Sequence, residues 1–195
     1  VDRVILQFST YTSYRRWDYG RFASSMIRKM AHSPFSHVDL VVGDGLLGAS
    51  NSPGAPVVRG NPAGVAVRPF DYQDFGIRRR AIIMTPVAEA IIMIAESQLG
   101  KPFDSSAVSF KTFFNDEPFD RNWRDTGKWF CSELMAWAFE QADHWGRPLI
   151  WPKNRITPTD FLLLFIMSPN FIDWEKFWEP LEGVTLGQRE RFADL

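Results

Sequence analysis

The order of short β-like runs and longer helix-like runs constrains this chain most, because strands cluster in its first half and helices in its second. That segregation predicts an α+β fold, a small antiparallel sheet packed on helices, rather than alternating βα units around a parallel sheet. Val4-Ile5-Leu6-Gln7-Phe8 reads as a buried strand, being short, apolar and partly β-branched. Phe22, Met26, Ile27 and Met30 then recur at helical spacing until Pro34. His37–Val42 and Leu46–Ala49 flank Asp44-Gly45, a dipeptide that suits the positive-φ positions of a tight hairpin. A Gly/Pro/Asn-rich loop over 50–62 leads to a third strand over 64–68, and residues 79–84 make a fourth.

Thr85-Pro86 carries a helix-start signature, with Thr as cap and Pro in the first turn. Its apolar body includes Ile91, Ile92, Ile94, Ala95 and Leu99, and Gly100 and Pro102 stop it. Further helices are predicted over 105–114, from about Trp129 to Ala142, and after Thr157-Pro158. No internal repeat or low-complexity linker divides the chain. One domain over 1–170 is expected, followed by an aromatic helical extension over 171–195. In that extension Phe171, Trp174, Phe177 and Trp178 fall near helical spacing. Docking on the core is the plainer account of that stripe; the alternative is a surface that grips a protein partner or a membrane.

Charge excludes some functions. With 22 basic and 23 acidic residues there is no basic stripe of the kind nucleic acid requires, so no nucleic-acid partner is expected. Arg78-Arg79-Arg80 reads as a solvated strand edge. The longest apolar run, Phe161 to Met167, falls far short of the ~20 residues of a membrane span. No secretory signal is visible in Val1–Leu6, and the expectation is a cytoplasmic or virion-associated location.

A single cysteine, Cys131, excludes an internal disulfide and any zinc site built on several thiolates. It is either a core residue or a chemically special one. Cys131, Leu134, Met135, Ala138 and Ala142 share a helical face, which favours the core. Yet Cys131 also falls in the first turn of a predicted helix, where unpaired N–H groups and the helix dipole favour a thiolate. The same donors suit the oxyanion of an acyl-transfer intermediate, and Glu133 suits the helix N-terminus. A thiol nucleophile needs an imidazole base. His37 opens a predicted strand and is the candidate; His32 and His144 read as surface residues. No histidine pair has metal-ligand spacing with a carboxylate, so neither a metal nor a cofactor is expected.

Ser36-His37-Val38, Gly100-Lys101-Pro102-Phe103-Asp104, Phe130-Cys131-Ser132-Glu133-Leu134 and Thr157-Pro158-Thr159-Asp160-Phe161 occur in that order. In these motifs, and in the strand and helix that open the chain, landmarks that together run from about residue 4 to 166, the chain resembles the circularly permuted branch of the NlpC-type papain-like superfamily, which includes YiiX-like and lecithin:retinol acyltransferase-like proteins. In that branch the histidine precedes the cysteine, as here. The resemblance implies a papain-like catalytic domain with Cys131 as nucleophile and His37 as base. It also implies a peptide or acyl substrate, and Gly48-Ala49 resembles phage-encoded relatives. Members often orient the histidine with a Glu, Gln or His on the following strand, but Leu46–Ala49 has no polar side chain. Ser50 or Asn51 is a possible substitute. Asp39 shares the strand face of His37, although same-strand neighbours some 6–7 Å apart are too distant for a direct bond without bending. The resulting expectation is a cysteine-dependent hydrolase of an amide or ester bond, with a cell-wall peptide amide favoured. The alternatives are an inactive binding or structural module, as in a phage particle, and a thiol acyltransferase acting on lipid. Aromatic residues between Phe103 and Trp129 are candidates for the wall of a substrate groove.

Overall fold

The computed structural model describes residues 3–11, 24–25, 28–29, 34–51, 55–73, 75–105, 127–145 and 156–166. These residues form an α+β fold with a six-stranded antiparallel sheet and three helices. The strands are β1 (Arg3–Tyr11), β2 (His37–Val42), β3 (Gly45–Ala49), β4 (Arg59–Gly60), β5 (Val65–Arg68) and β6 (Phe75–Met84). The helices are α1 (Ala88–Glu96), α2 (Cys131–Gln141) and α3 (Pro158–Ile166). Sheet order is β4-β5-β3-β2-β1-β6, so β1, though first in the chain, lies inside the sheet between β2 and β6.

Alternation along the strands gives the sheet two unlike faces. Leu6, Phe8, Val38, Leu40, Leu47, Ala49, Val65, Val67, Ala81 and Ile83 belong to the main core with the apolar faces of all three helices. Helix α2 packs on β2 and β3 and against α1 and α3. Apolar burial on this scale supplies the main drive for folding, about 25 cal/mol per Å². The alternate positions are polar yet buried: Gln7, Asp39, Arg68 and Arg80, with Leu46, Tyr72 and Phe75 forming a second, smaller cluster.

The first strand, the hairpin and the helix at the cysteine fall where the sequence pattern puts them. Other details differ. The hairpin turn is Gly43-Asp44, because Val42 pairs with Gly45. Only its first residue has a positive φ, Gly43 at 55°, the pattern of a type II′ turn. The loop over 50–62 contains an unforeseen two-residue strand, β4, too short to show a period. Strand β6 starts at Phe75 rather than 79, lengthened by its pairing with β1. It is an edge strand, but its arginines are not simply solvated. Arg80 is buried with its guanidinium over Phe70, and Arg78 lies over Phe75. Helix α1 begins three residues after Thr85, whose hydroxyl accepts from the Val87 amide at 3.3 Å. The predicted helix over 105–114 and the aromatic extension over 171–195 lie outside the described residues. So do most of 103–129 and of the first predicted helix, in which Ser24, Ser25, Arg28 and Lys29 are helical.

Candidate active site

Two local devices bring the N-terminus of α2 to the sheet. The Gly100–Asp104 segment runs between the stretch before β5 and the stretch before α2. On one side the Val65 amide donates to the Lys101 carbonyl (2.8 Å) and the Phe103 amide to that of Ala63 (3.0 Å). On the other, the Trp129 amide donates to Pro102 (3.1 Å) and the Asp104 amide to Trp129 (2.9 Å). The Trp129 indole N–H reaches Gln98 Oε1 at 3.1 Å. From the far side, Ser132 Oγ donates to the Ile156 carbonyl at 2.5 Å, just before α3. Residue 157 opens that helix with a reciprocal cap: the Asp160 amide donates to Thr157 Oγ1 (3.1 Å) and the Thr157 amide to Asp160 Oδ2 (3.0 Å).

Cys131 is the first residue of α2, preceded by Phe130 in an extended conformation. The first intrahelical bond runs from the Leu134 amide to the Phe130 carbonyl, so the amides of Cys131 and Ser132 precede the helical ladder. Cys131 is buried, 7% exposed, and touches the main core. Its thiol is nonetheless engaged, both hydrogen bonding to and interacting electrostatically with His37. His37 opens β2, so the two residues meet at the ends of their elements. Before it, the Ser36 amide donates to the Ser9 carbonyl (3.0 Å), and Ser36 Oγ pairs with Ser24 Oγ (2.6 Å), fixing the strand start.

Asp39 makes the direct bond that strand spacing argued against. His37 Nε2 and Asp39 Oδ1 are 2.8 Å apart. The backbone spacing stands, but the two side chains lean toward each other on one face. Room for this comes from β3, where Gly48 is the residue opposite Asp39, one step beyond the Leu40–Leu47 pair. A Cβ built on Gly48 would sit 1.9 Å from Asp39 Oδ1. The missing polar side chain on β3 is therefore the space that an in-strand carboxylate fills.

Tyr72, which sequence reasoning did not single out, completes the group. Its hydroxyl lies 3.0 Å from His37 Nε2 and 3.2 Å from Asp39 Oδ2. Ser50 hydrogen bonds to the same hydroxyl, so this candidate for orienting His37 reaches it through Tyr72. Asn51 is exposed, whereas the imidazole is buried. Behind Tyr72 lies Arg68, fully buried, its guanidinium 5.3 Å from the ring centroid and bonded to the carbonyls of Gly48, Ala66, Asn61, Pro62 and Gly64. The only sequence signal for Tyr72 is a lone tyrosine in a polar turn, which spacing cannot connect to a histidine 35 positions earlier.

Desolvation is the largest influence on His37 and lowers its pKa, but the Asp39 carboxylate, the charge of Cys131 and hydrogen bonds to both together push it up to about 10. His37 therefore holds its proton at neutral pH. Burial and the neighbouring Asp39 charge raise the Tyr72 phenol well above its usual value, only partly opposed by Arg68 and Ser50. Tyr72 thus remains a donor. These protonation states assign the bonds: Nε2–H of His37 donates to Asp39 Oδ1, and the Tyr72 hydroxyl donates to Oδ2. With Nε2 occupied, Nδ1 is the nitrogen left for Cys131.

His144 is not a plain surface residue. Its Nδ1 is 3.0 Å from Thr85 Oγ1, its ring packs against Phe139, Trp145 and Phe165, and partial burial lowers its pKa. His32 lies outside the described residues. Among the described residues no three His, Cys, Asp or Glu side chains gather as a metal site, and no helix is long and apolar enough to cross a membrane. No protein-family model and no curated protein matches the chain.

Proposed function

We propose that this protein is a cysteine-dependent hydrolase of the permuted papain-like type, acting on an amide or ester. Cys131 Sγ attacks the carbonyl carbon while the Cys131 and Ser132 amides stabilise the developing oxyanion. His37 protonates the departing amine or alkoxide as the C–N or C–O bond breaks, leaving a thioester on Cys131. The neutral His37 then takes a proton from water, whose oxygen attacks the thioester; the C–S bond breaks, the acid leaves and the thiolate beside a protonated His37 is regenerated. Asp39 holds the ring in the orientation this requires. The observation that carries this reading is the buried His37 ring, which interacts with both Cys131 and Asp39, its Nε2 2.8 Å from Asp39 Oδ1. A cationic imidazole against sulfur supplies the charge that a nucleophilic thiolate needs. The reading as an inactive module drew on the lack of an orienting side chain; the 2.8 Å contact of His37 with Asp39 offers one and supports the enzyme reading instead.

Alkylation by iodoacetamide at pH 7 tests the proposal. Cys131 should react at least about tenfold faster than a free thiol, and His37→Ala should abolish the excess. Labelling at the free-thiol rate, unchanged in His37→Ala, would leave only the binding module. For the substrate, cell-wall peptide amides and acyl esters are to be incubated with the protein and followed by mass. A peptide product supports the amide reading, and a stable acyl-Cys131 formed from phospholipid would favour the acyltransferase.

A further inference from the structure

We propose that Tyr72 is a positioning residue that acts through Asp39, holding the carboxylate so that one oxygen stays aimed at His37. This deepens the function proposed above and rests on it. Asp39 has two carboxylate oxygens, and the structure occupies each differently: Oδ1 takes His37 Nε2 at 2.8 Å and Oδ2 takes the Tyr72 hydroxyl at 3.2 Å. A carboxylate bonded at one oxygen only is free to turn about its last torsion; bonded at both, it is fixed. The tyrosine is itself held on every side. Its amide donates to the Pro69 carbonyl at 3.1 Å, and Phe75 packs edge-on at 5.2 Å. The buried Arg68 lies behind its ring, and Ser50 donates to its hydroxyl. The result is a continuous chain of bonds from Ser50 through Tyr72 to Asp39, where the donors from Tyr72 and His37 converge on the carboxylate, with Cys131 beyond the ring.

The isolating variant is Tyr72→Phe, which keeps the ring packing and removes the hydroxyl alone. Two measurements on the full chain decide the matter: NMR titration of His37, and the iodoacetamide rate at Cys131. With Oδ2 released, the carboxylate is less firmly held against Nε2. The His37 titration should therefore fall by about one pH unit, and the alkylation rate by roughly fivefold to tenfold, the scale of one hydrogen bond. If Tyr72 acts through Asp39, adding Tyr72→Phe to Asp39→Ala should change neither quantity further. An unshifted titration in Tyr72→Phe, or effects that simply add to those of Asp39→Ala, would overturn the proposal. The titration answers this even if Cys131 proves no more reactive than a free thiol, an outcome that would sink the hydrolase reading instead.

Discussion

At the residue scale, the site depends on an absence. Gly48 leaves open the volume that the Asp39 carboxylate occupies, since a Cβ there would lie 1.9 Å from Oδ1. Gly48→Ala should therefore expel the carboxylate and, by removing the main influence that raises His37, bring its titration back toward the ordinary ~6.5. The alkylation rate of Cys131 should drop with it; an Ala variant with unaltered titration would show that Asp39 finds another path to the ring. Cys131 and His37 were legible as a pair from residue type, position and order. Asp39 was seen but set aside, because strand spacing fixes Cα positions and says nothing of how two side chains lean. Tyr72 gave no usable signal. Its role comes from the turn after β5 folding back across the sheet, a contact no local pattern encodes.

At the scale of elements, each helix start is set by its own chemistry. Helix α3 uses the reciprocal Thr157–Asp160 cap, and Ile156, just ahead of it, receives the Ser132 hydroxyl from α2. Thr157→Ala should cost about 1 kcal/mol of stability, measured by denaturant unfolding, while leaving the titration of His37 in place. A concurrent shift in that titration would mean that α3 takes part in placing Cys131. The cap was readable as Thr-Pro-x-Asp. The Gly100–Asp104 segment was readable as a helix stop and as one motif of the resemblance; its work, bonding the run before β5 to Trp129, is long-range. The hairpin was found but its turn was placed one residue late. Two glycines flank Asp44, and the backbone pairing of Val42 with Gly45 assigns the turn to the first.

At the scale of the whole molecule, burying a charged His37 makes stability depend on pH. The folded chain holds this proton with a pKa of about 10, the unfolded chain with one near 6.5. Its contribution is complete below about pH 6.5 and is lost as the pH rises through about 10. Unfolding midpoints should thus fall more steeply between pH 7 and 10 in the parent protein than in His37→Gln. Parallel slopes would contradict the charged pair. The α+β class was legible from the order of strands and helices, because that order follows from periodicity and breakers. The two-faced sheet was not: a buried polar row reads in sequence like any solvated face, and only Arg80, Gln7 and Asp39 lying under cover reveal it.

The described strands of the sheet that carries the imidazole all end by Met84, whereas the sulfur lies at the start of a helix far downstream, joined to that sheet through Gly100–Asp104. A chain emerging in order would thus display its base long before its nucleophile, and neither half would hold a working pair. On the proposed chemistry the protein is inert until its last helices dock, a form of latency that needs no inhibitor and no removable segment.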